Sequence, residues 1–169
     1  MRDTWVFTLL FAILFITGCE EPRINGSSEV AFHISSQRLV RAQPAEKREE
    51  LEAALSRLLL AAMLDSMNMG EDKLRNLREK LDGMNAEQLL QFAISEDRRR
   101  LVVLRDRAQI AAVAAQTRLD ETTQALSQAP DDESLIAARQ KAETEFAVAK
   151  QEVVRRTEQI AKFDRGEDW

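Results

Sequence analysis

The chain has little of the residues that build disulfide scaffolds, metal centres and sheets. Its 169 residues include one cysteine, one histidine, three prolines, five glycines and no tyrosine. One cysteine cannot close a disulfide within the chain, and one histidine without a second ligand nearby is a poor start for a metal site. Few helix breakers, with abundant Ala, Leu, Glu, Arg and Gln, favour helices over strands. The composition therefore predicts an all-α protein with no disulfide and no bound metal.

Basic residues are outnumbered by acidic ones. There are 24 Lys and Arg residues against 29 Asp and Glu residues, a formal net charge of -5. Proteins that bind nucleic acid use a basic patch to neutralise phosphates, and no such patch is visible in this acidic sequence. We therefore expect no nucleic-acid partner.

A long apolar run occurs only near the start of the chain, at residues 5–16, where Thr8 is the single polar residue. A membrane-spanning helix needs about 20 apolar residues, whereas the apolar part of a signal peptide needs about 7 to 15. Small Thr17 and Gly18 follow, and then Cys19. This order predicts a lipoprotein signal peptide over residues 1–18, cleavage between Gly18 and Cys19, and lipidation of Cys19. A short signal anchor, or a secretory signal with an incidental cysteine, is the alternative.

Lipidation at Cys19 would make membrane lipid the first partner of the protein. One acyl chain anchors a protein only reversibly, and the two or three chains of a bacterial lipoprotein give a lasting anchor. Glu20 stands where an aspartate would commonly retain a lipoprotein in the inner membrane of enterobacteria. The sequence thus predicts an envelope protein on the periplasmic face, with the outer membrane favoured over the inner membrane.

After the cysteine, residues 19–28 are expected to form a tether and residues 29–95 a small helical domain. Ser27 or Ser28 can cap a first helix over residues 29–42, and Pro44 suits the first turn of a second. A three- and four-residue apolar spacing in the second helix predicts the main core. These core positions are Leu51, Ala54, Leu55, Leu58, Leu59, Ala62 and Met63.

Two further helices complete the predicted domain. A third helix spans about residues 71–82, with Leu74, Leu77 and Leu81 on one side, and Gly83 fits the left-handed position that ends it. Asn85 and Gln88 then have the spacing of a capping box, and Met84 can pack on Leu89. The fourth helix should turn its apolar residues inward, namely Leu89, Leu90, Ala93 and Ile94.

The three- and four-residue spacing over residues 96–165 predicts an antiparallel, coiled-coil-like helical hairpin of two helices of about 32 residues. Its turn is expected near residues 128–132, where Asp131 or Asp132 can cap the second arm. The first-arm seam would be Leu101, Leu104, Ala108, Ala111, Ala115, Leu119, Thr122 and Leu126, within an alanine-rich stretch that also holds Ala112 and Ala114. The second-arm seam would be Leu135, Arg139, Ala142, Phe146, Ala149, Val153, Arg156, Ile160 and Phe163. The hairpin could pack on the first domain, stand free, or continue the fourth helix as one rod if Ser95 is no boundary.

Two segments resemble a family of small bacterial lipoproteins of unknown function. Residues 19–32 (CEEPRINGSSEVAF) are similar to the start of its members, where Pro-x-Ile-Asp/Asn-Gly-Ser-Ser-Glu and Ala-Phe follow the lipidated cysteine. Residues 80–87 (KLDGMNAE) are similar to a later segment of the same family. The resemblance covers about residues 19–95. It implies a helical, lipid-anchored envelope protein and brings no catalytic residue and no cofactor.

Residues able to carry out chemistry are few and scattered. His33 precedes Ser35 and Ser36, but no nucleophile-elbow motif is present, so we expect no catalytic site. Asp131, Asp132 and Glu133 lack the alternating ligands and central glycine of a calcium loop, so a helix cap is the better interpretation. No glycine-rich phosphate loop occurs, and no cofactor is expected. The sequence thus indicates a protein that is not an enzyme.

Two clusters remain as candidates for binding. Arg98, Arg99 and Arg100 spread around about 300° of a helix, so local ion pairs on a solvated face are the favoured interpretation, and contact with anionic headgroups or an acidic partner is the alternative. The methionines are expected to fill the core at helix ends rather than form an adaptable groove. They are Met63, Met67, Met69 and Met84.

Two functions are compatible with this sequence. The favoured one is a lipid-anchored envelope protein of structural or interaction type, which holds a helical module at the membrane for contact with a protein partner or a second copy of itself. The alternative is a lipoprotein that binds a small molecule or a lipid in an apolar cavity between helices, lined by residues 51–63.

Overall fold

A computed structural model describes residues 21–69 and 72–167 of the chain. The predicted signal peptide and the Gly18–Cys19 cleavage site lie outside the described residues. The described residues form five helices and no strand. The helices are α1 (Glu29–Arg41), α2 (Ala45–Met69), α3 (Lys73–Leu81), α4 (Ala86–Gln128) and α5 (Glu133–Asp164). The prediction of an all-α fold with a long helical hairpin is confirmed.

Local hydrogen bonds explain where these helices begin. The Ser28 hydroxyl accepts from the Ala31 amide at 3.1 Å, which identifies Ser28 as the N-cap of α1. The Asn85 side chain accepts from the Gln88 amide at 2.9 Å, and Gln88 accepts from the Asn85 amide at 3.1 Å. This reciprocal pair is the predicted capping box. The Asp72 carboxylate caps α3 by accepting from the Arg75 amide at 2.8 Å, so that helix begins at Lys73.

The chain divides into two compact units, one ending at Ala93 and the other beginning at Ile94. The expected break near Ser95 is absent, because α4 runs without interruption from Ala86 to Gln128. Nothing in the local sequence stops it, since residues 86–128 contain neither proline nor glycine.

The first unit packs α1, α2, α3 and the start of α4 around one core. Four leucines in it are completely enclosed, namely Leu39, Leu51, Leu81 and Leu89. The predicted α2 positions Leu51, Ala54, Leu55, Leu58 and Ala62 are buried, and Leu59 packs against them. Met63 was expected in this core but is 50% exposed, because it lies outside the buried face of α2.

The segment before α1 is part of this unit and is not a free tether. Ile24 is 2% exposed and exchanges two backbone hydrogen bonds with the α3–α4 turn, to Met84 at 2.9 Å and from Gly83 at 2.8 Å. Gly83 adopts a φ of 76°, the left-handed conformation predicted for it. The prediction of a tether over residues 19–28 is therefore wrong from residue 21 onward.

The second unit is the antiparallel hairpin of residues 94–167. Its second arm has the predicted seam, because all nine predicted positions from Leu135 to Phe163 are buried or half-buried. In the first arm the seam is shifted by one residue at two positions. Arg105 and Ala112 lie inward, whereas Leu104 and Ala111 are exposed. The observed steps 101, 105, 108, 112, 115, 119, 122 and 126 follow a strict seven-residue period, which keeps one face toward the partner helix.

Candidate functional site

The most prominent surface feature of the first unit is an apolar stripe along α2. Four large apolar side chains form it, with exposed fractions of 58% for Leu60, 50% for Met63, 51% for Leu64 and 81% for Met67. Their spacing of three, four and seven residues places them on one face of the helix. We call these four residues the α2 stripe.

The α2 stripe exists because α2 is apolar on two sides. Its inner side carries Leu51, Leu55 and Leu58, which fill the core, and Ala61 and Ala62 are also buried. Large apolar side chains grouped on a surface mark an interaction site more often than isolated ones do. The interpretation of Met63 and Met67 as core filler is wrong, since both belong to this stripe. Met84 does pack against the core.

Leu60 and Leu64 are not among the residues predicted from the sequence to take part in binding. The three-four pattern used to find the core selects one face and passes over apolar residues outside it. A signal was available, because residues 58–64 are apolar without exception, more than a single buried face requires.

A groove lies between α1 and α2 within the first unit, with a volume of about 380 Å³. Phe32, Val40, Leu55 and Leu59 supply its apolar lining. Ser36 also lines it, is 8% exposed, and has a hydroxyl without a hydrogen-bond partner in the described part of the chain. Buried hydroxyls normally have a partner, so this oxygen could receive a hydrogen bond from a bound molecule or donate one to it.

The residues considered for nucleophilic chemistry serve the structure of α1. The His33 ring nitrogen Nε2 lies 3.0 Å from the Gln37 side-chain amide nitrogen. The Ser35 hydroxyl donates to the Phe32 carbonyl oxygen at 3.1 Å and accepts from the Asn25 amide at 2.8 Å. These contacts provide no base directed at a serine.

A second groove of about 670 Å³ lies between the two arms of the hairpin. Ala108 and Ala111 face it from α4, and Val148 and Ala149 face it from α5. Glu152 also lines it and accepts hydrogen bonds from Arg155 and Arg156, each at 2.7 Å. These two hydrogen bonds hold the Glu152 pKa at about 2.

The three adjacent arginines do not converge on one site. Arg98 pairs with Asp164 of the other arm, and Arg99 pairs with Glu96 one turn earlier, at 2.7 Å. Arg100 is half-buried and also has an interaction partner. Contact of this cluster with headgroups or an acidic partner stays a prediction, and such contact would compete with these ion pairs.

The acidic residues at the hairpin tip include a helix cap. The Asp132 carboxylate accepts from the Ser134 hydroxyl at 2.5 Å and from the Ser134 and Leu135 amides at 2.9 and 3.2 Å. These hydrogen bonds, led by that from the hydroxyl, lower the Asp132 pKa. Within residues 21–69 and 72–167, no three metal-ligating side chains gather into a cluster. Over the same residues, no helix has the length and apolar character to cross a bilayer.

Comparison with known proteins adds no relative. No family model, no curated protein and no solved structure matches the chain.

Proposed function

We propose that this protein is a lipid-anchored envelope protein of interaction type, tethered through Cys19 on the periplasmic face, with the outer membrane favoured. Its module would meet a protein partner, or a second copy of itself, through the α2 stripe. The proposed membership in the family of small helical lipoproteins agrees with this function.

The α2 stripe is the observation that carries the interaction part of the proposal. When a helix is recognised in a groove of another protein, its anchors follow a spacing of three, four and seven residues. Leu60, Met63, Leu64 and Met67 have this spacing and are at least half exposed. Lipid anchoring adds to such contact, since confinement to one surface raises the effective concentration of a neighbour.

The anchor is tested by labelling cells with radioactive palmitate. The native chain should take up label and run at the size of a processed protein. Cys19→Ala should take up none and accumulate as precursor. Label that persists in Cys19→Ala, or native protein without label, would overturn the anchor.

The partner is tested by photo-crosslinking in living cells from position 64, with position 49 of the same helix as the control. Glu49 is exposed and lies outside the stripe. A discrete crosslinked species should form from position 64 and should disappear when Leu60→Gln and Met67→Gln are added. Mass spectrometry of that species separates a partner from a second copy. Equal crosslinking from both positions, or none from position 64, would contradict the proposal.

The groove between α1 and α2 favours a second candidate function, binding of a small amphipathic molecule. The observation behind it is the unpartnered Ser36 hydroxyl among apolar side chains. Native mass spectrometry of protein extracted from membranes should then show an additional mass, which Ser36→Val reduces. If the extracted protein showed no additional mass, this second candidate function would be ruled out.

A further inference from the structure

The chain immediately after the proposed lipidation site is clamped to the first unit. The Glu21 carboxylate accepts from the Asn85 side-chain amide at 2.9 Å, and the Arg23 guanidinium donates to the Gly83 carbonyl oxygen at 2.8 Å. The Gly26 amide donates to the Asp82 carboxylate at 2.7 Å. Together with the two backbone hydrogen bonds of Ile24, these contacts bind residues 21–26 along the α3–α4 turn.

Gly26 is required for this close approach. A Cβ atom at this position would overlap the Arg78 carbonyl oxygen and would lie 3.1 Å from the Asp82 Cβ. No side chain fits between the segment and the end of α3. The docking of residues 21–26 is therefore built into the backbone as well as into the hydrogen bonds.

The docked segment leaves almost no spacer. Only residue 20 lies between Cys19 and Glu21, and two residues of fully extended chain reach at most about 7 Å. We propose that the end of the first unit formed by Glu21, Arg23 and the turn from Asp82 to Asn85 rests on the lipid headgroups, held there by the anchor. This placement rests on the proposed lipidation of Cys19.

The chemistry of this end suits a headgroup surface and not the acyl interior. Glu21, Arg23, Asp82 and Gly83 are exposed and polar or small. The large exposed apolar side chains of the first unit lie elsewhere, on α1 and in the α2 stripe. Shallow contact without insertion is therefore expected.

Two positions serve for a test, one near each end of the helix α3. Lys80 is exposed in its last turn, next to the docked segment. At its other end, the Lys73 amide donates to the Ser66 hydroxyl at 3.0 Å, which places Met67 near the start of α3. The ends of α3 are about 12 Å apart at 1.5 Å per residue.

The experiment uses lipidated full-length protein in phosphatidylcholine vesicles that contain a lipid with a nickel-chelating headgroup. Cys19 is the only cysteine, so Lys80→Cys or Met67→Cys supplies the single free thiol for a spin label. Relaxation by nickel should be several-fold stronger for the label at 80 than for that at 67. Equal relaxation, or a stronger effect at 67, in palmitate-labelled protein would overturn the placement and leave the anchor intact. Protein without palmitate would overturn both.

Two variants test whether docking of the segment sets the placement. Gly26→Ala removes the space for the close approach, and the milder Asp82→Ala removes the acceptor of the Gly26 amide. Either should expose the Ile24 amide to hydrogen exchange and bring the two labels to similar relaxation. Ser27→Ala is the control and should change neither, because the Ser27 side chain is exposed. If the Ile24 amide of Asp82→Ala exchanged rapidly and the labels at 80 and 67 still differed in nickel relaxation, docking of the segment would not set the placement.

Discussion

Arg98 and Asp164 lie 66 residues apart in sequence and form a two-point ion pair between the arms of the hairpin. The Arg98 Nε atom is 2.8 Å from Oδ1, and Nη2 is 3.2 Å from Oδ2. The pair joins the first turns of the second unit to the last turn of α5, so it records the antiparallel register of the two arms. The hydrogen bond and the charge of Arg98 lower the pKa of Asp164.

We expect the Arg98–Asp164 pair to contribute a small, salt-sensitive coupling, because both side chains are about half exposed. A double-mutant cycle with Arg98→Ala and Asp164→Ala should show favourable coupling in urea unfolding at low ionic strength. The coupling should vanish near 1 M salt, where the Debye length is about 3 Å. Arg107→Ala with Asp164→Ala is the matched control and should show no coupling. Coupling that persists in high salt would contradict this expectation.

Acid should weaken the second unit in part through Glu152. Its folded pKa of about 2 lies below the ordinary value of 4.5. The ionised Glu152 carboxylate therefore contributes its full share to the free energy of unfolding above about pH 4.5, and this contribution is lost as the pH falls toward 2. Thermal unfolding followed from pH 6 to pH 2 should show a smaller acid-induced fall for Glu152→Gln than for the native chain. The exposed Glu158, on the same helix, supplies the control Glu158→Gln, which should leave the slope unchanged. Identical slopes in all three proteins would refute the assignment.

The two faces of α2 should respond very differently to the same substitution. Leu51→Ala removes a completely buried side chain and is expected to cost about 2–5 kcal/mol of unfolding free energy. Leu60→Ala alters a side chain that is 58% exposed and should stay within about 0.5 kcal/mol of the native value. Urea denaturation of the Cys19→Ala form measures both. A large cost for Leu60→Ala would show that the α2 stripe is needed for folding, and so would weaken its interpretation as a contact surface.

The capping box at the start of α4 offers a prediction in the first unit. Asn85→Ala removes the acceptor of the Gln88 amide and should cost about 0.5–2 kcal/mol. Asn85→Ser restores a capping oxygen and should recover most of that loss, although the Glu21 contact stays broken. Urea unfolding compares the three chains. If Asn85→Ser were as unstable as Asn85→Ala, the contact with Glu21 would account for the loss, and the cap would not.

The helices and most of their starts could be predicted from the sequence because they depend on contacts between near neighbours. The caps at Ser28, Asn85 and Asp132 join atoms of residues two or three positions apart. The seam of α5 could be predicted because its positions, most of them apolar, are spaced alternately four and three residues apart. The candidate surface was less accessible to prediction, because an exposed leucine such as Leu60 has the same local sequence signal as a buried one.

The sequence by itself determined the helical content, most helix starts and the antiparallel hairpin, since these follow from propensity, capping and periodicity. Only the tertiary structure decided that the second apolar face of α2, the α2 stripe, stays uncovered within the first unit, because that depends on which face its neighbours cover. It also decided that residues 21–26 are docked. Their partners Asp82 and Asn85 lie more than fifty positions away. Hydrogen bonds and close packing over that separation leave no local pattern in a polar segment, and for this reason a segment expected to be a tether is part of the folded unit.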